Sequence, residues 1–88
     1  MTELTGGSVD YYSVQVNYPA SRGSPYTAEC NDLIEALGMN YAEGNVFKAV
    51  WRRAALRLGV GKPGSTAKYE SEKAEFFANR LVEQDRLV

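Results

Sequence analysis

Eighty-eight residues with a net charge of −1, one cysteine and no histidine describe one small domain. A chain of this size hides only roughly 60% of its unfolded surface on folding, so a core on its own is marginal. Cys30 as the sole cysteine excludes an internal disulfide and, without histidine, makes a metal site a poor expectation, which leaves self-association as the expected extra source of stability.

Residues 1–10 are polar and glycine-rich and read as flexible. From Tyr11 to Asn17 the chain alternates, with Tyr12, Val14 and Val16 on one face, a period-two pattern that predicts a strand over 11–17. No second run of equal quality follows. A solitary strand leaves its backbone groups unpaired, so its expected partner is an irregular segment nearby or the same strand of another protomer. Pro19 to Pro25 reads as a loop, and Ser24 or Thr27 is a candidate cap for a first helix over 27–37. Cys30, Leu33, Ile34 and Leu37 form its apolar stripe and Gly38 ends it.

Asn40 and Glu43 have the spacing of a capping box and open a second helix over 41–58. Val46, Phe47, Val50, Trp51, Ala54 and Leu58 share a broad face of this helix, with Lys48 and Arg52 on the opposite side. Breakers at Gly59, Gly61, Pro63 and Gly64 mark a loop. A third helix over 66–86 starts at Ser65 or Thr66, with Tyr69, Phe76, Phe77, Leu81 and Leu87 as its stripe and Lys73 and Arg80 inside that stripe's arc. The fold class is mainly α: a three-helix domain with an N-terminal strand or extended arm.

Charge is unevenly spread. Residues 1–43 hold six acids and one base, 44–69 six bases and no acid, and 70–88 five acids and three bases. A basic middle between acidic flanks is either an anion site or a helix salt-bridged to its neighbours. Lys48 and Arg52, one turn apart, could clamp one phosphate or lie on a solvated face. Lys73 and Arg80, within an apolar stripe, must snorkel, pair with a carboxylate such as Glu29, Asp32 or Glu43, or face a ligand or subunit.

The run Gly59-Val60-Gly61-Lys62-Pro63-Gly64-Ser65-Thr66 is not a phosphate loop. That motif needs Gly-Lys-Ser/Thr between a strand and a helix, whereas Pro63 follows Lys62 here and a helix precedes the loop. Cys30 reads as a packed thiol, since no histidine exists to activate it. An acidic chain (pI ≈ 5.4) without a reader motif is a poor nucleic-acid binder. The lone thiol, the lack of a run near ~18 apolar residues and the absence of a basic start at Met1-Thr2-Glu3 place the expected setting in the cytoplasm, away from membranes.

Several short motifs occur in a telling order: Asn17-Tyr18-Pro19, Tyr26, Glu29-Cys30-Asn31-Asp32, Gly44-Asn45, Lys48-Ala49-Val50-Trp51-Arg52 and Glu70-Ser71-Glu72-Lys73-Ala74-Glu75-Phe76-Phe77. The ordered set resembles a family of small phage proteins known as nucleotide kinase-like, among them a coliphage nucleoside-monophosphate kinase, and the match extends over about three quarters of the chain. The resemblance implies an infected bacterial cytoplasm as the setting and Glu29, Asp32, Asn45, Lys48, Arg52 and Lys73 as site residues, to which Arg80 is added from its place in the third helix. It implies a nucleotide as ligand, with Mg2+ arriving alongside it rather than a resident cofactor, and phosphoryl transfer between nucleotides as the chemistry. Tyr18 stands where the family has a histidine, and a second histidine before Tyr26 is missing. No catalytic residue is therefore assigned, and a protein that sequesters a nucleotide or nucleotide signal fits as well as a phosphotransferase. The expectation of another class is a protein-binding module that inhibits a host or defence protein.

Overall fold

A computed structural model describes residues 10–87; the flexible segment expected at 1–10 lies outside the described residues except for Asp10. A 3-10 turn at Asp10–Tyr12 leads into β1 (Ser13–Val16), followed by β2 (Tyr26–Glu29), α1 (Cys30–Leu37), α2 (Tyr41–Arg57) and α3 (Ala67–Arg86). The chain is thus mainly helical, three helices with a short two-stranded sheet near the N-terminus.

The partner of β1 is β2, antiparallel, in the register Ser13↔Glu29 to Val16↔Tyr26. Ser13 Oγ donates to Glu29 Oε1 at 3.1 Å and Thr27 Oγ1 to Gln15 Oε1 at 3.0 Å, tying the ladder from its side chains as well. This corrects the helix expected from residue 27. Tyr26 and Thr27 suit a strand, and a ladder gives β1 the partner it lacked. Helix α1 therefore starts at Cys30, capped by extended Glu29 without a side-chain bond rather than by Ser24 or Thr27.

The other helix ends follow local chemistry. Gly38 adopts the left-handed conformation at φ 62°, and the amide of Met39 closes back on Ile34 O at 3.0 Å. Asn40 Oδ1 accepts from Glu43 N, and Glu43 Oε1 accepts from Asn40 N, both at 2.9 Å, completing the capping box of α2. Thr66 caps α3 by accepting from Tyr69 N at 3.1 Å. Helix α3 returns antiparallel along α2: Asn40 Nδ2 donates to Gln84 Oε1 near the start of α2, and Arg52 pairs with Glu70 near its end.

The interior of this assembly is the arc of α2 opposite to its large apolar residues. Ala42, Ala49, Arg52 and Ala55 are buried, whereas Val50 is 54% and Leu58 70% exposed. At about 100° per residue the buried set centres roughly half a turn from Val46, Val50, Ala54 and Phe47, the face that amphipathicity marks for the core. The cause is size. Alanines at positions 42, 49 and 55 admit close neighbours, and the space between them is filled by a charged pair rather than by branched hydrocarbon. The stripes of α1 and α3 are likewise only partly used, with Leu37, Tyr69 and Phe76 exposed and Leu87 lying beyond α3 as its exposed C-cap. Trp51 is half-buried at the boundary, its indole N–H donating to Tyr11 O at 2.8 Å.

The loop after α2 turns back tightly. A Cβ built on Gly61 would lie 2.8 Å from Leu56 Cγ and 2.9 Å from Leu56 Cα, and the backbone atom cannot step aside. Gly61→Ala should therefore lower stability by about 1–3 kcal/mol, read as a drop in urea midpoint with an unchanged slope. Equal stability would mean that the loop closes in another way.

Candidate functional site

The centre of the α2–α3 seam is an ion pair. Arg52 Nε donates to Glu70 Oε2 and Nη2 to Glu70 Oε1, both at 2.9 Å, a two-pronged contact. Arg52 is 3% exposed and Glu70 is fully buried. Two neighbours complete it: Arg52 Nη1 donates to the Tyr12 hydroxyl at 2.7 Å, and Ser65 Oγ donates to Glu70 Oε2 at 2.6 Å. Burial by itself raises a carboxyl, but here the hydrogen bonds from Arg52 and Ser65 and the charges of Arg52 and Lys62 outweigh it and hold Glu70 below its ordinary 4.5. Burial likewise opposes the charge on Arg52, and donation to Glu70 and Tyr12 overturns it, so the guanidinium stays charged.

Lys48, one turn before Arg52, has a different fate. It is half-buried, its Nζ lies 5.9 Å from the centre of the Tyr12 ring, and among the described residues it has no carboxylate within 4 Å, the ion pairs there being Arg52–Glu70 and Arg86–Glu83. The two residues do not form the clamp that their spacing suggested: Arg52 is turned inward with Nε, Nη1 and Nη2 all engaged by protein. Buried Cys30 lies close enough to feel both cations, yet burial wins and its thiol is raised.

Two contacts bracket the seam, Arg52–Glu70 at one end and the edge-to-face rings of Tyr41 and Phe77, 5.6 Å apart, at the other. Between them α2 carries Asn45 and Lys48, and α3 carries Lys73, three residues after Glu70 and four before Phe77. Asn45 Nδ2 donates to Tyr41 O at 2.8 Å, and half-buried Lys73 places Nζ 5.8 Å from the Tyr69 ring centre. At the Tyr41 end a groove of about 440 Å³ is lined by Asn40, Tyr41, Phe76, Phe77, Arg80 and Gln84. Asn45 is thus tied to its own helix, Lys48 stands beside Tyr12, Arg52 pairs with Glu70, Lys73 stands beside Tyr69 and Arg80 lines the groove at the Tyr41 end. Glu29 caps α1 and accepts from Ser13, while Asp32 is exposed in the first turn of α1 with no hydrogen bond among the described residues. Neither these two nor Glu43 forms the ion pair expected with Lys73 or Arg80, the ion pairs among the described residues being Arg52–Glu70 and Arg86–Glu83.

Among the described residues no group of three or more histidine, cysteine, aspartate or glutamate side chains could hold a metal ion. No described helix is long and apolar enough to cross a membrane. No family model, curated protein or solved structure matches this chain.

Sequence reasoning missed Glu70, Tyr12, Ser65 and the Tyr41–Phe77 pair. A signal for Glu70 existed: on α3 it shares the inner stripe with Lys73 and Phe77, where an ionised side chain needs a buried cation.

Removing one partner strands the other as a buried charge, so Arg52→Ala should cost about 3–5 kcal/mol. That is a large share of the ~5–15 kcal/mol a domain has, and thermal melts will read it. Glu70→Gln should be less stable than the parent at pH 7. A carboxyl held below its ordinary value contributes stability above that value and loses it as pH falls through the folded one. The deficit of Glu70→Gln should therefore shrink as pH falls below the ordinary 4.5 and through the lower folded value, and a constant deficit would exclude the ion pair as its source.

Proposed function

We propose that this chain binds a nucleotide along the α2–α3 seam, with its phosphates held by Lys48 and Lys73 and its outer end met by Arg80. The observation that carries the reading is a set of three cations on α2 and α3, each beside an aromatic ring or an aromatic-lined groove, and none paired with a carboxylate among the described residues. Glu70 does not oppose them, because Arg52 neutralises it. A half-buried ammonium over a ring keeps its charge available to an anion, and contacts there are stronger than at a solvated surface. The rings of Tyr41, Phe76 and Phe77 offer flat apolar faces to a base, and the amides of Asn45 and Gln84 offer polar edges. The resemblance to the nucleotide kinase-like phage family points to the same ligand class.

Binding or sequestering is the favoured form of this reading. Arg52, which the family resemblance places in the site, supports the fold instead, and among the described residues no carboxylate lies within 4 Å of Lys48 to orient a hydroxyl. A protein-docking role, the second reading, has its own support in the large apolar arc of α2 that faces away from α3.

Calorimetric titration with nucleoside mono- and triphosphates tests the proposal. Lys48→Ala and Lys73→Ala should each weaken binding about ten- to hundredfold, from ~1.5–3 kcal/mol per charge-assisted contact at ~1.4 kcal/mol per decade, with melting temperatures almost unchanged. Arg52→Ala should instead be lost through unfolding. Absence of heat with every nucleotide, for a well-folded parent protein, would reject the ligand class. Phosphoryl transfer detected in the same mixtures would reject the non-catalytic form.

A further inference from the structure

The α2 face that points away from α3 carries a second inference, independent of the nucleotide reading. Among the described residues the buried apolar side chains are all small: Cys30, Ala42, Ala49 and Ala55. The large ones lie elsewhere. A groove of about 270 Å³ runs between α2 and β1, lined by Tyr11, Val14, Trp51, Leu58 and Val60, and one of about 550 Å³ lies on the other flank beside Leu37, Met39, Val46 and Leu81. Phe47 and Val50 line both, so the two form one apolar surface along the whole helix. Seventeen residues make α2 ~25 Å long, and two to three helix widths of ~10 Å give ~600 Å², approaching the ~800 Å² per partner of a standard interface.

We propose that a second copy of this chain covers that surface, with the two α2 helices antiparallel about a two-fold axis at Val50. Two observations select this occupant. A domain whose own interior holds no fully buried large apolar side chain among its described residues needs its covering layer whenever it is folded, and the partner always present is another copy. The charges also fit only one arrangement. Glu43 and Arg57 lie seven residues either side of Val50 on the same helical stripe, with Phe47 and Ala54 between, and neither has an ion pair among the described residues. Antiparallel packing about Val50 sets Glu43 of each copy opposite Arg57 of the other, twice by symmetry. Parallel packing would set like against like. The same operation brings the Leu58–Val60 end of one copy against the Leu37–Met39 end of its partner. The interface expected from an unpaired β1 edge is replaced, because β2 already satisfies one side of that strand.

Sedimentation equilibrium of the full chain should give twice 9.7 kDa at micromolar concentration. Val50→Cys should cross-link into dimers almost completely under mild oxidation, because the axis places the two substituted positions face to face. Asn79→Cys, exposed on α3, should cross-link at least tenfold more slowly, and buried Cys30 supplies no competing thiol. Arg57→Glu should weaken the dimer about tenfold at low salt while preserving the helical circular dichroism. A parent protein that remains monomeric at ~100 µM overturns the proposal and leaves an unrelated protein as the candidate occupant. A dimer in which Val50→Cys links no faster than Asn79→Cys overturns this interface.

Discussion

The fold depends on one buried ion pair. Placing Arg52 and Glu70 out of water is costly, and the cost is offset only because both prongs of the guanidinium meet both carboxylate oxygens and the remaining polar atoms find Tyr12 and Ser65. No buried side-chain polar atom among the described residues is left without a partner, so the network is complete, the condition under which a polar interior orders a structure rather than loosening it. Four segments meet there: the turn before β1, the middle of α2, the loop after it and the first turn of α3. Hydrocarbon gathered at that point would hold them together without dictating register. The ion pair dictates it, because a slip of one residue separates the two charges.

That constraint also sorts the basic middle of the chain. Lys48 and Arg52 are one helical turn apart and are chemically alike at the level of charge, yet one is structural and the other is available. The difference lies in shape. A planar fork can satisfy a carboxylate in two directions at once and remain buried, whereas an ammonium is a compact, strongly hydrated charge that retains a path to solvent. With Arg52 cancelled by Glu70, the excess positive charge of the seam resides on lysines beside aromatic rings. The anion-binding reading therefore rests on residues whose charge the fold does not consume.

Local signals in the sequence were legible where the chemistry was local. Gly38 as a left-handed terminus, the Asn40–Glu43 box and Thr66 as a cap need only neighbours within five residues, and each is found. The ends of α2 and α3 fall within a residue of expectation. Tyr26 to Glu29 misled because a short β-prone run beside a helix has no periodicity of its own; only pairing with Ser13–Val16 decides it. The buried face of α2 misled for a deeper reason. Hydrophobic periodicity identifies which face avoids water, not which chain covers it, and here the α3-facing arc is built from alanines and a charge. Of the candidate site, the residue types were legible and the partners were not: Lys48 stands beside the Tyr12 ring and Lys73 beside the Tyr69 ring, neighbours that spacing does not name. The assignment of Arg52 failed because its partner lies 18 residues away, in another helix.

The separations within the ion-pair network also set an order of assembly. Arg52 and Glu70 are 18 residues apart and joined through one hairpin of helices, whereas Tyr12 reaches Arg52, and Tyr11 reaches Trp51, across 40 residues. Closing the longer loop costs more entropy and gains little until its target exists. The α2–α3 hairpin can therefore nucleate on its own contacts, and the strand pair then docks onto a guanidinium already oriented by its carboxylate. During synthesis the strand pair emerges before the helices that receive it, so its docking contacts have no target until α2 and α3 have been made.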